Sequence, residues 1–303
     1  MRPSRRLRRT GCHSLNKAGW AGGPGRAGGQ EPKSQGKSEK AKVESMDTWN
    51  PTQYAKFQRE REQPFFDLLD LVRPQPEMRV VDLGCGPGTL TRQLHARLQA
   101  RETLGLDRSP HMLNHALTEP QPDGLRFEVG TIEAWKPSDA FDLIFSNAAF
   151  QWVDDHESLI LRLTRALKPD GQLAFQVPQM YDHLSHDVAE ELAAEDPFRA
   201  AFPDWRRPLQ VLAPEQYARL LYRAGFAAQH VRLVIYPHIL AGPEDVVEWM
   251  KGALLTTYTE RLTPEQSQSF IDQYRTRLLS RLAPERPLFF PFKRILCWGQ
   301  RPE

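Results

Sequence analysis

The run Val80-Val81-Asp82-Leu83-Gly84-Cys85-Gly86-Pro87-Gly88-Thr89 sets three glycines on alternate positions directly behind an apolar, β-branched stretch. Gly84, Gly86 and Gly88 allow a tight turn and let a ligand approach the backbone, because no Cβ intervenes. A strand, a glycine-rich turn and a helix start form a nucleotide-holding unit. Two nucleotide chemistries compete for it. A dinucleotide fingerprint needs G-x-G-x-x-G, with the pyrophosphate on the helix N-terminus. Here the third glycine comes one residue early, Pro87 lies inside the loop, and Asp82 stands just before the turn. An acid at that point repels a pyrophosphate but suits an ammonium group, directly or through water. Asp107 closes the next apolar run, nineteen residues beyond Gly88, where a carboxylate accepts hydrogen bonds from both ribose hydroxyls. This combination fits S-adenosylmethionine better than NAD.

These residues need a scaffold. From Met78 onward, short apolar runs alternate with helical stretches, the pattern of a doubly wound α/β domain. Strands are expected at Arg79–Leu83, Thr103–Asp107, Leu125–Val129, Phe141–Ser146, Gly171–Val177, His230–Tyr236 and Leu288–Trp298. Helices are expected from about Thr89 to Gln99, Pro110 to Leu117, His156 to Leu167 and Pro214 to Ala224, with Gly225 as the stop of the last. Lys168-Pro169-Asp170-Gly171 reads as a turn into the fifth strand. Two regions, about 178–212 and 243–287, do not belong to the alternation. The second holds two helices, starting at Pro243 and at Thr263-Pro264-Glu265-Gln266, where Thr263 and Gln266 can form a capping box. Insertions at these places sit over the carboxyl ends of the strands, where open α/β sheets bind ligands, and are expected to form a lid or substrate wall.

Charge divides the 303-residue chain. Residues 1–45 carry eleven basic and three acidic side chains and eight of the nineteen glycines, whereas residues 46–303 carry a net charge of −6. The first segment cannot bury enough apolar surface to offset its conformational entropy and is expected to be a disordered extension. Its Arg-rich start suggests a transit peptide, but GWAGGPGRAGG has no amphipathic face. Met46 opens ordered-looking sequence, so residues 1–45 read as an upstream or dispensable extension. The acidic remainder gives no support to a nucleic-acid partner. Cys12, Cys85 and Cys297 provide neither a disulfide framework nor metal-ligand spacing. No apolar run approaches the ~18–20 residues of a membrane span. The expectation is a cytoplasmic monomer with no bound metal, acting on a small molecule.

The motif and its surroundings resemble the class I S-adenosylmethionine-dependent methyltransferases over nearly all of residues 46–303. The resemblance implies a Rossmann-like seven-stranded sheet with helical insertions over the active site. It implies that Asp82, Gly84, Cys85, Gly86 and Gly88 surround the methionine end, that Asp107 holds the ribose, and that Ser109 and Met112 line the adenine. An acid often follows the third strand in that family; here Gly130-Thr131-Ile132 stands there, and backbone groups of Thr131 and Ile132 are the expected substitutes. Asn147 closes the cofactor set. Ser146-Asn147-Ala148-Ala149-Phe150 lacks the two prolines usual in amino-group methylation, while Asn147 with Gln151-Trp152 resembles the small-molecule carboxyl methyltransferases.

A narrower resemblance is to the bacterial trans-aconitate 2-methyltransferase family. It is carried by Trp49-Asn50-Pro51, Tyr54 and Phe57, by the glycine loop, by Ser146–Trp152 with Asp155-His156, and by Pro291-Phe292-Lys293-Arg294. The family tail is close to Phe-Pro-Arg, so Lys293 departs from it and Arg294 matches. A helix from about Thr52 to Glu62 would lay Tyr54 and Phe57 over the cofactor cleft. The implied reaction esterifies one carboxylate of a small polycarboxylic acid. It joins an anion to a cation, so a closed, dry site favours it. A carboxylate is already ionised near neutral pH and needs no general base. No catalytic acid or base is therefore expected. Alignment alone can supply up to ~7–11 kcal/mol. Carboxylates that do not react need cationic partners, preferably Arg forks. Arg294 and Arg207, with Tyr54 and Trp152, form the expected substrate set. Arg206, Arg261, Arg275, His183 and Tyr258 are further candidates. Two other functions fit less well: a malonyl-carrier-protein O-methyltransferase, which would need a basic docking surface, and a regulator that binds S-adenosylmethionine without turnover.

Overall fold

Val80 and Val81 point to opposite faces of the central strand and enter two different hydrophobic cores. This follows from the two-residue period of a strand. The computed structural model describes residues 58–303 apart from Ser138, Arg206, Pro208 and Leu209. The expectations for residues 1–45, for Tyr54 and Phe57 and for Arg206 lie outside the described residues.

The chain runs α1 (Gln58–Leu69), β1 (Arg79–Leu83), α2 (Thr89–Leu98), β2 (Glu102–Asp107), α3 (Pro110–Ala116), β3 (Leu125–Val129), β4 (Phe141–Asn147), α4 (His156–Arg165), β5 (Leu167–Pro178), α5 (Leu184–Ala193), α6 (Pro214–Arg223), β6 (Ala228–Leu240), α7 (Pro243–Lys251), α8 (Thr256–Thr259), α9 (Pro264–Arg281) and β7 (Leu288–Gln300). The strands form one sheet in the order β3-β2-β1-β4-β5-β7-β6, with β7 antiparallel to both neighbours. This is the expected doubly wound α/β architecture. Leu159, Ile160 and Leu163 of α4 and Tyr217, Leu220 and Leu221 of α6 cover one face. Phe65, Leu68 and Leu69 of α1, with Leu94 and Leu98 of α2, cover the other.

Strand order reverses between β1 and β4, which opens a crevice at their carboxyl ends. The register brings the chemistry-bearing ends together: Leu83 pairs with Leu106, Asp107 with Val129, and Asn147 with Gln176.

Two expectations need adjustment, and one region holds a helix that no expectation named. Leu167 already pairs with Phe141, so Lys168–Gly171 is an irregularity inside β5 rather than a turn before it. Asp170 takes φ 61° there and lets the strand resume its register. The region 178–212 contains α5, which has the short sequence LSHDVAEELA and begins behind the His183 cap rather than behind a Ser, Thr, Asn or Asp. The helix expected from Thr52 to Glu62 is described only from Gln58 and continues to Leu69, with Pro64 inside it.

β6 and β7 pair along their whole length, from Ala228 opposite Gln300 to Leu240 opposite Leu288. Thirteen residues per strand give a ribbon of ~40 Å, longer than β1 to β4 need. Its far half joins α5, α7, α8 and α9 in a separate core built on Phe198, Phe202, Trp249, Tyr258, Phe270 and Tyr274. Thr263 and Gln266 form the expected capping box: Gln266 N donates to Thr263 Oγ1 at 3.2 Å and Thr263 N to Gln266 Oε1 at 3.1 Å. The Tyr274 hydroxyl donates to the Ser185 carbonyl at 3.1 Å and ties α9 to α5. The two insertions thus share one core, which stands on the β6–β7 ribbon beside the crevice.

Candidate active site

The glycine loop is shaped by contacts on both sides. Gly84 adopts φ 82°, and a Cβ there would lie 2.2 Å from that of Ala149. Gly86 adopts φ 57°, and its added Cβ would meet only the Met112 methyl at 3.6 Å. Both glycines line a cavity at the carboxyl ends of β1, β2 and β4. Side chains at either position would strain the backbone, and at Gly84 would also collide with Ala149.

Asp107 is oriented by the loop it faces. Gly86 N donates to its Oδ2 at 2.8 Å and Ser109 N to its Oδ1 at 2.9 Å. Each oxygen keeps a lone pair, so the carboxylate can accept from two neighbouring hydroxyls. Ser109 itself caps α3, accepting from Met112 N at 3.2 Å, and both line the cavity with Thr131, Ile132 and Asn147. The bare backbone at Gly86 and the directed pair of acceptors on Asp107 fit the methionine and ribose ends of S-adenosylmethionine.

Three members of the expected cofactor set stand elsewhere. Asp82 lies behind the loop, 3 % exposed, and is not on the cavity wall. Its Oδ2 accepts from Thr91 Oγ1 at 2.6 Å, whereas Oδ1 is buried with no hydrogen-bond partner. Burial, with the nearby Asp107 adding to it and the Thr91 bond opposing, pushes its pKa up to about 7. The orphan oxygen suits a positive charge reached through water. Cys85 packs with Leu113, Ala116 and Phe127, and burial keeps its thiol protonated, so its role is packing. Gly88 is the α2 N-cap at φ 76°, where a Cβ would meet Phe127 and Ala116 within 2.8 Å. It lets a helix approach the sheet rather than a ligand approach the loop.

Beyond β4 the chain makes a strained corner. Ala148 takes φ 54° and donates to the Gln176 carbonyl at 3.0 Å, and Gln151 Nε2 returns to the Ala148 carbonyl at 2.6 Å. Such conformations persist where surrounding contacts over-determine them. Behind the short turn Phe150–Trp152, His156 is the pin. Its Nε2 donates to the Phe150 carbonyl at 2.8 Å and its Nδ1 accepts from the Tyr217 hydroxyl at 2.6 Å. Burial lowers the His156 pKa and keeps the ring neutral, as this bonding requires. Trp152, held by that turn, faces the cavity.

The opposite wall comes from the ribbon and the insertion core: Trp249, Gly252, Ala253, Phe292 and Arg294. Arg294 is 4 % exposed, and its guanidinium lies 4.7 Å from the Phe292 ring centre. Its Nη1 donates to Gln176 Oε1 at 3.3 Å, and Gln176 Nε2 donates to Asn147 Oδ1 at 2.8 Å. A buried cation thus lines the same cavity as Asp107. A second chamber adjoins the first behind Gln151, Trp152, Pro178, Trp249, Ala253 and Phe292, and carries Arg207 on its wall.

The remaining substrate candidates do not line either space. Arg275 approaches Glu248 at 3.8 Å, and Arg261 lies over Trp205 and donates to the Thr257 carbonyl. His183 caps α5, and Tyr258 is fully buried in the insertion core. Arg108, Glu133 and Trp249 also line the cavity and were not expected there, and Phe292 was expected only as part of the tail motif. Glu133 lies four residues beyond the end of β3, displaced from the position where the related methyltransferases carry an acid, and only its nearness to Thr131 could have signalled it. No group of His, Cys, Asp and Glu among the described residues could hold a metal ion. No described helix is long and apolar enough to cross a membrane.

The family model described as "Methyltransferase domain" matches residues 57–231. The chain is 40 % identical over 260 residues to a trans-aconitate 2-methyltransferase of Deinococcus radiodurans, covering 84 % of this chain and 99 % of that one. It is 36 % identical to a trans-aconitate 2-methyltransferase of Streptomyces avermitilis, covering 84 % and 97 %. The solved YcgJ protein from Bacillus subtilis shares the fold with a TM-score of 0.54 at 19 % identity, over 80 % of this chain and 99 % of that one.

Proposed function

We propose that this chain, which belongs to the methyltransferase domain family, transfers the methyl group of S-adenosylmethionine to a carboxylate of trans-aconitate and releases the monomethyl ester. The observation that carries the substrate is the 40 % identity to a trans-aconitate 2-methyltransferase across 99 % of that protein's length. The cavity supports it, with Asp107 bonded to the glycine loop and a buried arginine both on its lining.

S-adenosylmethionine supplies a methyl group on a positively charged sulfur. Asp107 takes the ribose hydroxyls on its two oriented oxygens, and Gly84 and Gly86 give backbone room to the methionine end. Asp82 offers negative charge to the ammonium from behind the loop. Glu133 stands where an adenine amine can be met, replacing the acid absent from Gly130-Thr131-Ile132. On the acid's side, Arg294 pairs with a carboxylate and cannot swing away, because Gln176 and the Phe292 ring hold it. Trp152, Trp249 and Phe292 exclude water from the space between. The insertion core acts as the lid that completes this wall. No side chain is needed to remove a proton, and catalysis consists of alignment and desolvation.

The reading extends to a cytoplasmic monomer that handles the free acid without nucleic acid. It is supported by two buried free thiols and by an acidic net charge over residues 46–303. The test is incubation of the full chain with methyl-labelled S-adenosylmethionine and trans-aconitate. Label is expected in a base-labile ester of the acid.

A further inference from the structure

We propose that the second chamber receives a carboxylate of the acid other than the one that is methylated, and that Arg207 is its anchor. This rests on the reading of the substrate as a polycarboxylate.

The chamber opens from the cofactor cavity across a shared wall of Trp152, Trp249, Ala253 and Phe292. The two buried arginines are divided between them: Arg294 lines only the first space and Arg207 only the second. The reacting carboxylate must lie in the first, beside the glycine loop. An acid that reaches into the second therefore presents a different carboxylate there.

Arg207 is built to receive one. Its Nε donates to Glu190 Oε1 at 2.6 Å, and its guanidinium lies 4.7 Å from the Tyr181 ring centre. Those two contacts fix the plane of the group. Its side chain is 8 % exposed, and Nη1 is buried without a hydrogen-bond partner. A buried donor left without an acceptor is costly, and a carboxylate oxygen placed on Nη1 removes that cost.

The rest of the chamber selects the ligand class. Met180, Met250, Leu254 and Thr257 offer no further charge. His186 stays neutral, its pKa lowered to about 3 by burial and by Arg207. Glu190, half exposed, balances part of the Arg207 charge through Nε. One planar fork in an apolar pocket suits a carboxylate on a short carbon arm; a phosphate would leave charge uncompensated.

Two dicarboxylates provide the test. Methylfumarate lacks the methylene-borne carboxylate of trans-aconitate, and methylenesuccinate lacks the carboxylate at the other end of the double bond. Both are measured as competitive inhibitors of trans-aconitate methylation by the full chain, wild type and Arg207→Met. The expected result is a tenfold or greater rise in KM for trans-aconitate and in the inhibition constant of one dicarboxylate. The other, which lacks the carboxylate that Arg207 holds, changes less than twofold. Equal weakening of all three acids, with affinity for S-adenosylhomocysteine unchanged, assigns to Arg207 the carboxylate on the central carbon that all three share, and no weakening of any of them overturns the proposal. Affinity for S-adenosylhomocysteine should not change; if Arg207→Met loses it through misfolding, Arg207→Lys, which keeps the charge and loses the fork, carries the same comparison. A wild-type chain that does not methylate trans-aconitate refutes the substrate reading instead.

Discussion

Nη1 of Arg294, on β7, donates to Oε1 of Gln176, on β5, at 3.3 Å. The two residues lie 118 positions apart in the chain, yet the antiparallel register that pairs Arg294 with Pro178 and Leu296 with Gln176 brings them together. Gln176 passes the constraint on to Asn147, so the cation of one wall is linked to the loop that follows β4.

Replacing Arg294 tests that link. A hydrogen bond to a charged group contributes about 1.5–3 kcal/mol, or roughly 10- to 150-fold in affinity. Arg294→Ala is expected to raise KM for trans-aconitate within that range while affinity for S-adenosylhomocysteine changes little. Steady-state kinetics paired with calorimetry decide it, and an unchanged KM removes Arg294 from the site.

Asp82 predicts how cofactor binding responds to pH. In the free protein its buried carboxyl is pushed up to about 7 and binds a proton below that pH. The ammonium of the cofactor favours the ionised form, so binding releases this proton below pH 7. Affinity for S-adenosylhomocysteine should therefore rise between pH 5.5 and 7. Asp82→Asn should flatten that rise, and equal slopes in the two proteins would contradict the assignment.

His186 predicts a stability change. Its pKa is lowered to about 3, against an ordinary value of 6.5. Between those values the unfolded chain binds a proton that the native chain does not, so stability falls as pH falls through this window. His238 adds to the fall, its pKa lowered to about 4 by burial and by Arg294, whereas Asp82, raised to about 7, opposes it. The comparison that isolates His186 is the change in Tm from pH 7 to pH 5. That decline should be shallower in His186→Gln than in the parent, and identical declines count against the buried imidazole.

The charge division of the sequence gives a fourth expectation. A chain starting at Met46 should fold and methylate trans-aconitate as the full chain does, because the basic, glycine-rich sequence of residues 1–45 offers too little apolar surface to add to a core. Loss of activity on truncation overturns that account.

The sheet was legible because each strand is a short apolar run between turn residues, and the crevice because its acids and glycines keep fixed spacing along β1 and β2. The Thr263–Gln266 capping box was legible for the same reason, since its chemistry is local. The wall facing the loop was not. Trp249 and Phe292 reach the cavity only through the full-length pairing of β6 with β7 and the core shared by two insertions, and periodicity does not record either relationship. Asp82, Cys85 and Gly88 belong to the motif, yet none of them lines the cavity. Which side of a turn a residue faces depends on what packs behind it, here Thr91, Leu113 and Phe127.

The central claim is tested most directly by the transfer itself. The purified full chain, methyl-labelled S-adenosylmethionine and trans-aconitate are incubated, and the products are resolved by mass. One labelled methyl per molecule of acid, removed by mild base, is the predicted result. Label that never leaves the cofactor, with trans-aconitate recovered unchanged, would contradict it.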